Sequence, residues 1–200
     1  MKAELRKKQI LDISTTMFSE KGYHETHVEL IIKTAKVGKG TFYRYFKNKE
    51  DLFVSVLQRF LDRWEKDVFI APSTFTADTI FNQFHSITIR SFQFFKKNDD
   101  LCNIYFRISP GLSSVFQPYI ERFENQMIDY VIQYLEAGSS LGYVRPDLNL
   151  EMASNIIVGA FLRVEYFYFV LRKNETYDIE TLADDYFKAI MNGILIKGAE

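Results

Sequence analysis

The chain has 200 residues, of which 47% are hydrophobic and 26% charged, with only nine glycines and four prolines. That length can bury a substantial core, and the long stretches without a helix breaker favour an all-α fold. A lone cysteine, Cys102, excludes an intrachain disulfide and fits a reducing compartment.

The formal net charge of −1 conceals a division. Residues 1–50 carry 11 Lys/Arg against 6 Asp/Glu, whereas residues 51–200 carry 14 against 20. A basic head on an acidic body is the asymmetry of a chain in which only the head meets a polyanion. Aromatic residues divide the other way: 16 of 19 Phe, 9 of 12 Tyr and the single Trp lie beyond residue 50. The opening MKAELRKKQILDIS has no apolar run of signal-peptide length, and no window approaches the roughly 20 apolar residues of a membrane span. The expectation is a cytoplasmic protein with no membrane partner.

In chain order, Leu5, Ile10, Ile13, Met17 and Leu11, Phe18 form an apolar stripe over 4–21, with Arg6, Lys7 and Lys8 at its start. Gly22 is placed to end this helix at a positive φ, and Tyr23 to pack back beneath it. Val28, Ile31, Ile32 and Ala35 mark a second helix of about two turns, preceded by Thr26 or His27, with Glu29 favourable to its dipole. Lys36-Val37-Gly38 breaks the period, Val37 being the apolar plug of the turn. A third helix over 39–45 turns Phe42 and Phe46 inward and Lys39, Tyr43 and Lys47 to another face. Asn48 caps a fourth helix running to about residue 68, with Glu50 and Asp51 in its first turn.

Pro72-Ser73 marks a break. Helices are then predicted over 75–96 (from Phe75), about 99–107 (ended by Pro110-Gly111) and 113–137, with Pro118 near the start of the last or kinking it and Gly138 and Gly142 closing it. Arg145-Pro146-Asp147 leads into 149–172. Read locally, FLRVEYFYFV at 161–170 has strand propensity, but Ile157, Phe161, Val164, Tyr168 and Leu171 at three- and four-residue steps favour helix. The last helix covers 178–196, for a total of nine.

Phe18, Gly22-Tyr23, Ile31, Ala35, Val37, Lys39-Gly40-Thr41-Phe42-Tyr43, Tyr45-Phe46, Lys47-Asn48-Lys49-Glu50 and Leu52 form a pattern. With these residues, 5–65 resemble the N-terminal DNA-binding domain of the TetR (tetracycline-repressor-like) transcriptional regulators. Gly142-Tyr143-Val144-Arg145-Pro146-Asp147 and the chain length also look like that family. The turn departs from the pattern twice, with Lys36 where glycine is usual and Gly38 where serine or threonine is usual. Lys36 would then adopt a left-handed backbone or distort the turn, and Gly38 forgoes most of a cap.

The resemblance implies a helix-turn-helix DNA-binding domain over 1–50 and a helical ligand-binding and dimerisation domain over 51–200. It also implies a homodimer formed through helices 149–172 and 178–196 on a palindromic double-stranded operator. Chemistry agrees: Lys39 and Arg44 suit guanine O6/N7, and Thr41 a thymine methyl or phosphate. Tyr43, Tyr45, Lys49 and the first-helix cluster suit phosphates, which position without reading sequence. His27 and Glu29 open the second helix towards backbone and groove edge, and Gly40 and Lys47 complete the DNA-binding set.

The aromatic body could line a pocket for a small, largely apolar effector, with Phe84, His85, Tyr105, Phe106, Phe116, Phe123, Phe161 and Tyr166 as members. Arg163 and Glu165, inside an apolar segment, are candidate polar handles of that pocket, or equally a pair at the dimer seam. The same aromatic stripes could be simple core. Such an effector would move the fourth helix and release a repressor from DNA. Catalysis is not expected: His24, His27 and His85 are scattered, and no HExxH, Walker A or GxGxxG occurs. No metal or cofactor is expected either. The alternative to a regulator is a helical protein-interaction module that no longer binds DNA, its turn altered at Lys36 and Gly38.

Overall fold

The computed structural model describes residues 2–69, 76–108 and 111–194. Nine α-helices run through them, and no strand occurs among the described residues. They are α1 (Lys2–Glu25), α2 (Val28–Thr34), α3 (Lys39–Tyr45), α4 (Lys49–Val68), α5 (Ile80–Lys97), α6 (Asp99–Asn103), α7 (Gln117–Ser140), α8 (Leu150–Glu165) and α9 (Ile179–Ile194). Two π-helical segments, Ile104–Ile108 and Tyr166–Leu171, continue α6 and α8. The break at Pro72-Ser73, the start at Phe75, Pro110 and the final residues to 196 lie outside the described residues.

Packing divides the chain into two compact units, 1–63 with 98–120, and 64–97 with 121–200. In the first, Ile10, Phe18, Ile31, Ala35, Phe42, Phe46, Leu52, Phe53 and Val56 are fully buried, so the inward stripes of α1 to α4 share one core. Gly22 leaves helical geometry at φ 81, ψ 171, as a glycine can, and the chain resumes a helical turn beyond it. Thr26 is wholly buried, its Oγ1 donating to the Met17 and Gly22 carbonyls left open by that break. Residues 99–116 belong to this unit. Asn103 Nδ2 donates to the Ser19 carbonyl at 2.7 Å, and Phe116 packs on Phe53 and Tyr23 at 4.8 and 5.3 Å.

In the second unit, α5 and α9 are tied by His85 Nε2 and Asp184 Oδ1 at 2.6 Å, and α8 and α9 by Tyr186 Oη donating to the Ile157 carbonyl at 2.8 Å. Phe92 stacks on Phe161 at 5.2 Å and 10° between planes. α8 starts on Asn149, whose side chain accepts the Met152 N–H. Asp178 does the same for α9, accepting from Glu180 N and Thr181 Oγ1.

Four boundaries differ from the sequence reading. α5 begins at Ile80, because Thr76 and Thr79 hydroxyls close a turn ahead of it. α7 begins at Gln117, after a turn in which Phe116 N–H donates to the Ser113 carbonyl. Gly138 lies inside α7, and only Gly142, at φ 77, closes it. The run 161–170 is helical, but passes into π geometry from Tyr166. The expectation of no span-length apolar helix is also corrected: Leu150–Leu171 is long and apolar enough by composition alone. Its central stretch has only two charges, Arg163 and Glu165, and one such helix is weak evidence, since core helices pass the same test.

Candidate functional site

Residues 27–51 form a helix, a turn and a helix with the short lengths a groove reader needs. α2 ends in a doubly bonded turn in which Lys36 N–H donates to the Lys33 carbonyl and Val37 N–H to the Ile32 carbonyl, both at 3.2 Å. That is the Schellman arrangement, which puts the residue after the C-cap in the left-handed region. Lys36 sits there at φ 51, the one non-glycine residue with positive φ among those described. Gly38 is the N-cap of α3 in extended geometry and, lacking a side chain, leaves its first turn without a side-chain cap.

α3 buries Phe42 and Phe46 and turns Lys39, Gly40, Tyr43 and Arg44 to solvent, with Thr41 and Tyr45 half-buried. Lys39 Nζ hovers 6.0 Å from the Tyr43 ring. Its far end is clamped: Asp51 accepts the Lys47 N–H, and Asn48 Oδ1 accepts the Asp51 N–H, both at 2.8 Å. His27 caps α2 through its backbone, exposed like Glu29 beside it. Lys47 is exposed as well.

Lys49 is otherwise engaged. Its Nζ donates to the Tyr23 and His24 carbonyls at 2.9 and 3.2 Å and lies 4.4 Å over the Tyr23 ring. It therefore satisfies the open end of α1. In the first-helix cluster, Lys8 pairs with Asp12 at 3.1 Å and Arg6 bonds Gln9 at 2.8 Å, while Lys7 Nζ lies 6.0 Å from the Phe46 ring.

The second unit holds a cavity of about 50 Å³, lined by Trp64, Val68, Phe69, Phe84, Ile87, Thr88, Ser91, Met127, Tyr130, Val131, Ile157, Val158, Phe161 and Tyr186. The wall is almost wholly apolar, and burial pushes the Tyr130 and Tyr186 phenols far above their ordinary value. Of the pocket residues expected from sequence, Phe84 and Phe161 line it. Phe123 is buried edge-on to Trp64, behind the wall. His85 faces Asp184 and the Phe187 ring. Tyr105, Phe106 and Phe116 belong to the first unit, where Tyr105 stacks on Phe60 at 5.2 Å.

Arg163 is exposed and lies over the Tyr166 and Phe167 rings, at 5.7 and 5.5 Å. Glu165 is wholly buried, so the two are not a pair. The remaining lining residues show in the sequence only as helical steps, such as Met127, Tyr130 and Val131 or Trp64 and Val68. That spacing marks an inward face without saying what it faces.

Apolar side chains also stand exposed on α8, where Met152 and Ile156 are 61% and 60% accessible one turn apart. They border a second hollow of about 420 Å³, shared with Ala189, Ile190 and Gly193 of α9. Among the described residues no group of three or more His, Cys, Asp or Glu gathers to hold a metal.

Known proteins share this arrangement. The profile of the bacterial regulatory proteins of the tetR family matches residues 10–56. An uncharacterised HTH-type transcriptional regulator, YhgD of Bacillus subtilis (strain 168), is 31% identical over 152 residues, 70% of this chain and 73% of its own. The HTH-type transcriptional repressor KstR2 of Rhodococcus jostii (strain RHA1) is 23% identical over 193 residues, covering 94% of this chain and 91% of its own. The fold matches that of the transcriptional regulator FadR from Bacillus subtilis in complex with stearoyl-CoA, with a TM-score of 0.75 at 22% identity over 94% of this chain and 98% of that one. With the tetR profile lying across the helix-turn-helix and a one-third-identical regulator spanning most of the chain, the protein belongs to the TetR family of transcriptional regulators.

Proposed function

We propose that this regulator is a repressor that binds a palindromic operator as a homodimer and leaves it when a largely apolar effector occupies the second unit. In this reading residues 1–50 are the DNA-binding part and 51–200 the effector and dimer part. The observation that carries it is α3. One face, Phe42 and Phe46, is spent on the core, and the other presents Lys39, Tyr43 and Arg44 to solvent, with Thr41 half-buried beside them. A seven-residue helix held in this way fits a major groove, where Arg and Lys can address guanine and Tyr a phosphate.

Two motifs are needed for tight binding, and Met152 and Ile156 with the α9 side of their hollow are an apolar surface suited to a second copy. Half-sites would then lie about 34–36 Å apart, or at a multiple of that distance. The effector reading rests on the aromatic cavity and on the stearoyl-CoA held by a protein of the same fold. A cavity of about 50 Å³ is far below the ~300 Å³ or more of a typical ligand site. An effector must therefore bind an opened form better than this one, and that unequal affinity is what shifts the population. α4 supplies Trp64 and Val68 to the cavity wall and also begins at the Asn48 cap behind α3.

Fluorescence anisotropy against DNA from upstream of the protein's own gene tests the reading. Affinity is expected to fall steeply with salt and to drop at least ~100-fold when Lys39→Ala, Tyr43→Ala and Arg44→Ala are combined. Binding indifferent to the triple substitution would remove α3 as the reader.

A further inference from the structure

Glu165 is out of character with its surroundings. It is wholly buried, yet neither carboxylate oxygen has a hydrogen-bond partner among the described residues. An unpaired buried carboxyl is costly, and methionine would fill much the same space at less cost.

Glu165 is not itself in the cavity wall, but Phe161 and Tyr186, which are, stand next to it. It lies one turn after Phe161 and one turn before Phe169, and both rings pack on Phe92 of α5, at 5.2 and 5.7 Å. Phe161 and Tyr186 wall the cavity with their rings 5.4 Å apart. Tyr186 is the titratable group that faces Glu165 from α9, close enough to feel its charge. Its hydroxyl is already spent on the Ile157 carbonyl and gives Glu165 nothing. α5 contributes the Phe92 ring, and Arg163, two residues away, lies exposed over Tyr166 and Phe167. The same cavity wall holds another unspent polar atom, the Trp64 indole N–H.

We propose that Glu165 anchors the protonated amine of an amphiphilic ligand whose apolar body fills the cavity along Trp64, Phe84 and Met127. This deepens the effector reading and rests on it. Phe161, a cavity-lining ring one turn before Glu165, offers an aromatic surface that favours a cation. Burial holds the Glu165 carboxyl well above the usual carboxylate range, which favours its protonated form in the empty site. When the ammonium arrives, the carboxyl ionises against it. One proton passes to solvent, and the ligand keeps its own.

The test is calorimetry on the full chain with octylamine, 1-octanol and octanoate, in phosphate and in Tris, two buffers of different protonation heat. Octylamine is expected to bind about tenfold or more tightly than octanol, with a heat that changes between buffers by one released proton. Glu165→Gln should erase the preference and the buffer dependence while leaving octanol binding in place. Equal or tighter binding of octanol or octanoate, or a preference that survives Glu165→Gln, overturns the anchor and leaves the cavity reading standing. Binding of none of the three to the unmodified chain overturns both. Should Glu165→Gln fail to fold, the buffer dependence of the octylamine heat decides on its own.

Discussion

Replacing Lys36 isolates the energetic cost of the turn between α2 and α3. The residue follows the C-cap of α2 in a Schellman turn at φ 51, a place that suits glycine. For a residue with a Cβ, the left-handed conformation costs roughly 1–2 kcal/mol. Glycine escapes that cost but loses about 0.4–1 kcal/mol through its freer unfolded chain. Lys36→Gly should therefore exceed Lys36→Ala in stability by about 1 kcal/mol, since both lack the charge and differ in the Cβ alone. Against lysine itself the gain shrinks, because an exposed cation at a helix C-terminus contributes about 0.3–1 kcal/mol. Lys36→Val should be the least stable of the set, a β-branched residue tolerating positive φ worst. Urea unfolding at one fixed protein concentration measures the order, the concentration being held because a dimer couples assembly to stability. An alanine variant as stable as the glycine one would refute the reasoning, since the turn would then leave the left-handed region at no cost.

Further substitutions follow from the packing. A Cβ on Gly138 would come within 2.8 Å of Val144 Cγ2. Gly138→Ala should therefore lower stability by about 1–2 kcal/mol despite alanine's better helix propensity, and adding Val144→Ala should recover part of the loss in the same urea assay. Lys49→Ala should cost about 1 kcal/mol and lower the thermal midpoint by about 2–4 °C, whereas Lys39→Ala should leave the midpoint nearly unmoved while weakening DNA binding. Glu165 titrates above 4.5 in the folded chain, so the unfolded state loses this proton first as pH rises and stability falls through that window. Glu165→Gln should accordingly gain more over the parent at pH 8 than at pH 4, measured by denaturant midpoints; an equal gain at both would mean that burial has not moved the carboxyl's titration.

The helix-turn-helix was legible because its information is local. Phe42 and Phe46 four apart, glycine before α3, asparagine before α4 and a positive-φ position at Lys36 are all read within a few residues of one another. The cavity was not, because it depends on which helix faces each stripe. Phe84 and Phe116 look alike as buried aromatics, yet one walls the cavity and the other packs on Tyr23 and Phe53, more than sixty residues earlier in the chain. Lys49 shows the same limit for charge: just beyond a helix-turn-helix it reads as a phosphate contact, and only the fold brings it onto the last carbonyls of α1. Gly138 and Gly142 both read as helix stops, but only Gly142 takes a positive φ, while Gly138 stays helical with the Val144 side chain close against it. Glu165 was visible as a charge in an apolar run, but its lack of a partner is a property of three-dimensional packing.

α3 has seven residues, about 10 Å of helix, too short to hold its shape in water. It is kept by Phe42 and Phe46 below and by the Asp51 clamp at its end. The residues that stabilise it are thus distinct from those turned to solvent. On the proposed reading of α3, a lineage can exchange Lys39, Tyr43 or Arg44 and try new operators without risking the fold, so binding preference can drift faster than architecture. Divergent operators on a common scaffold are what such a division of labour permits.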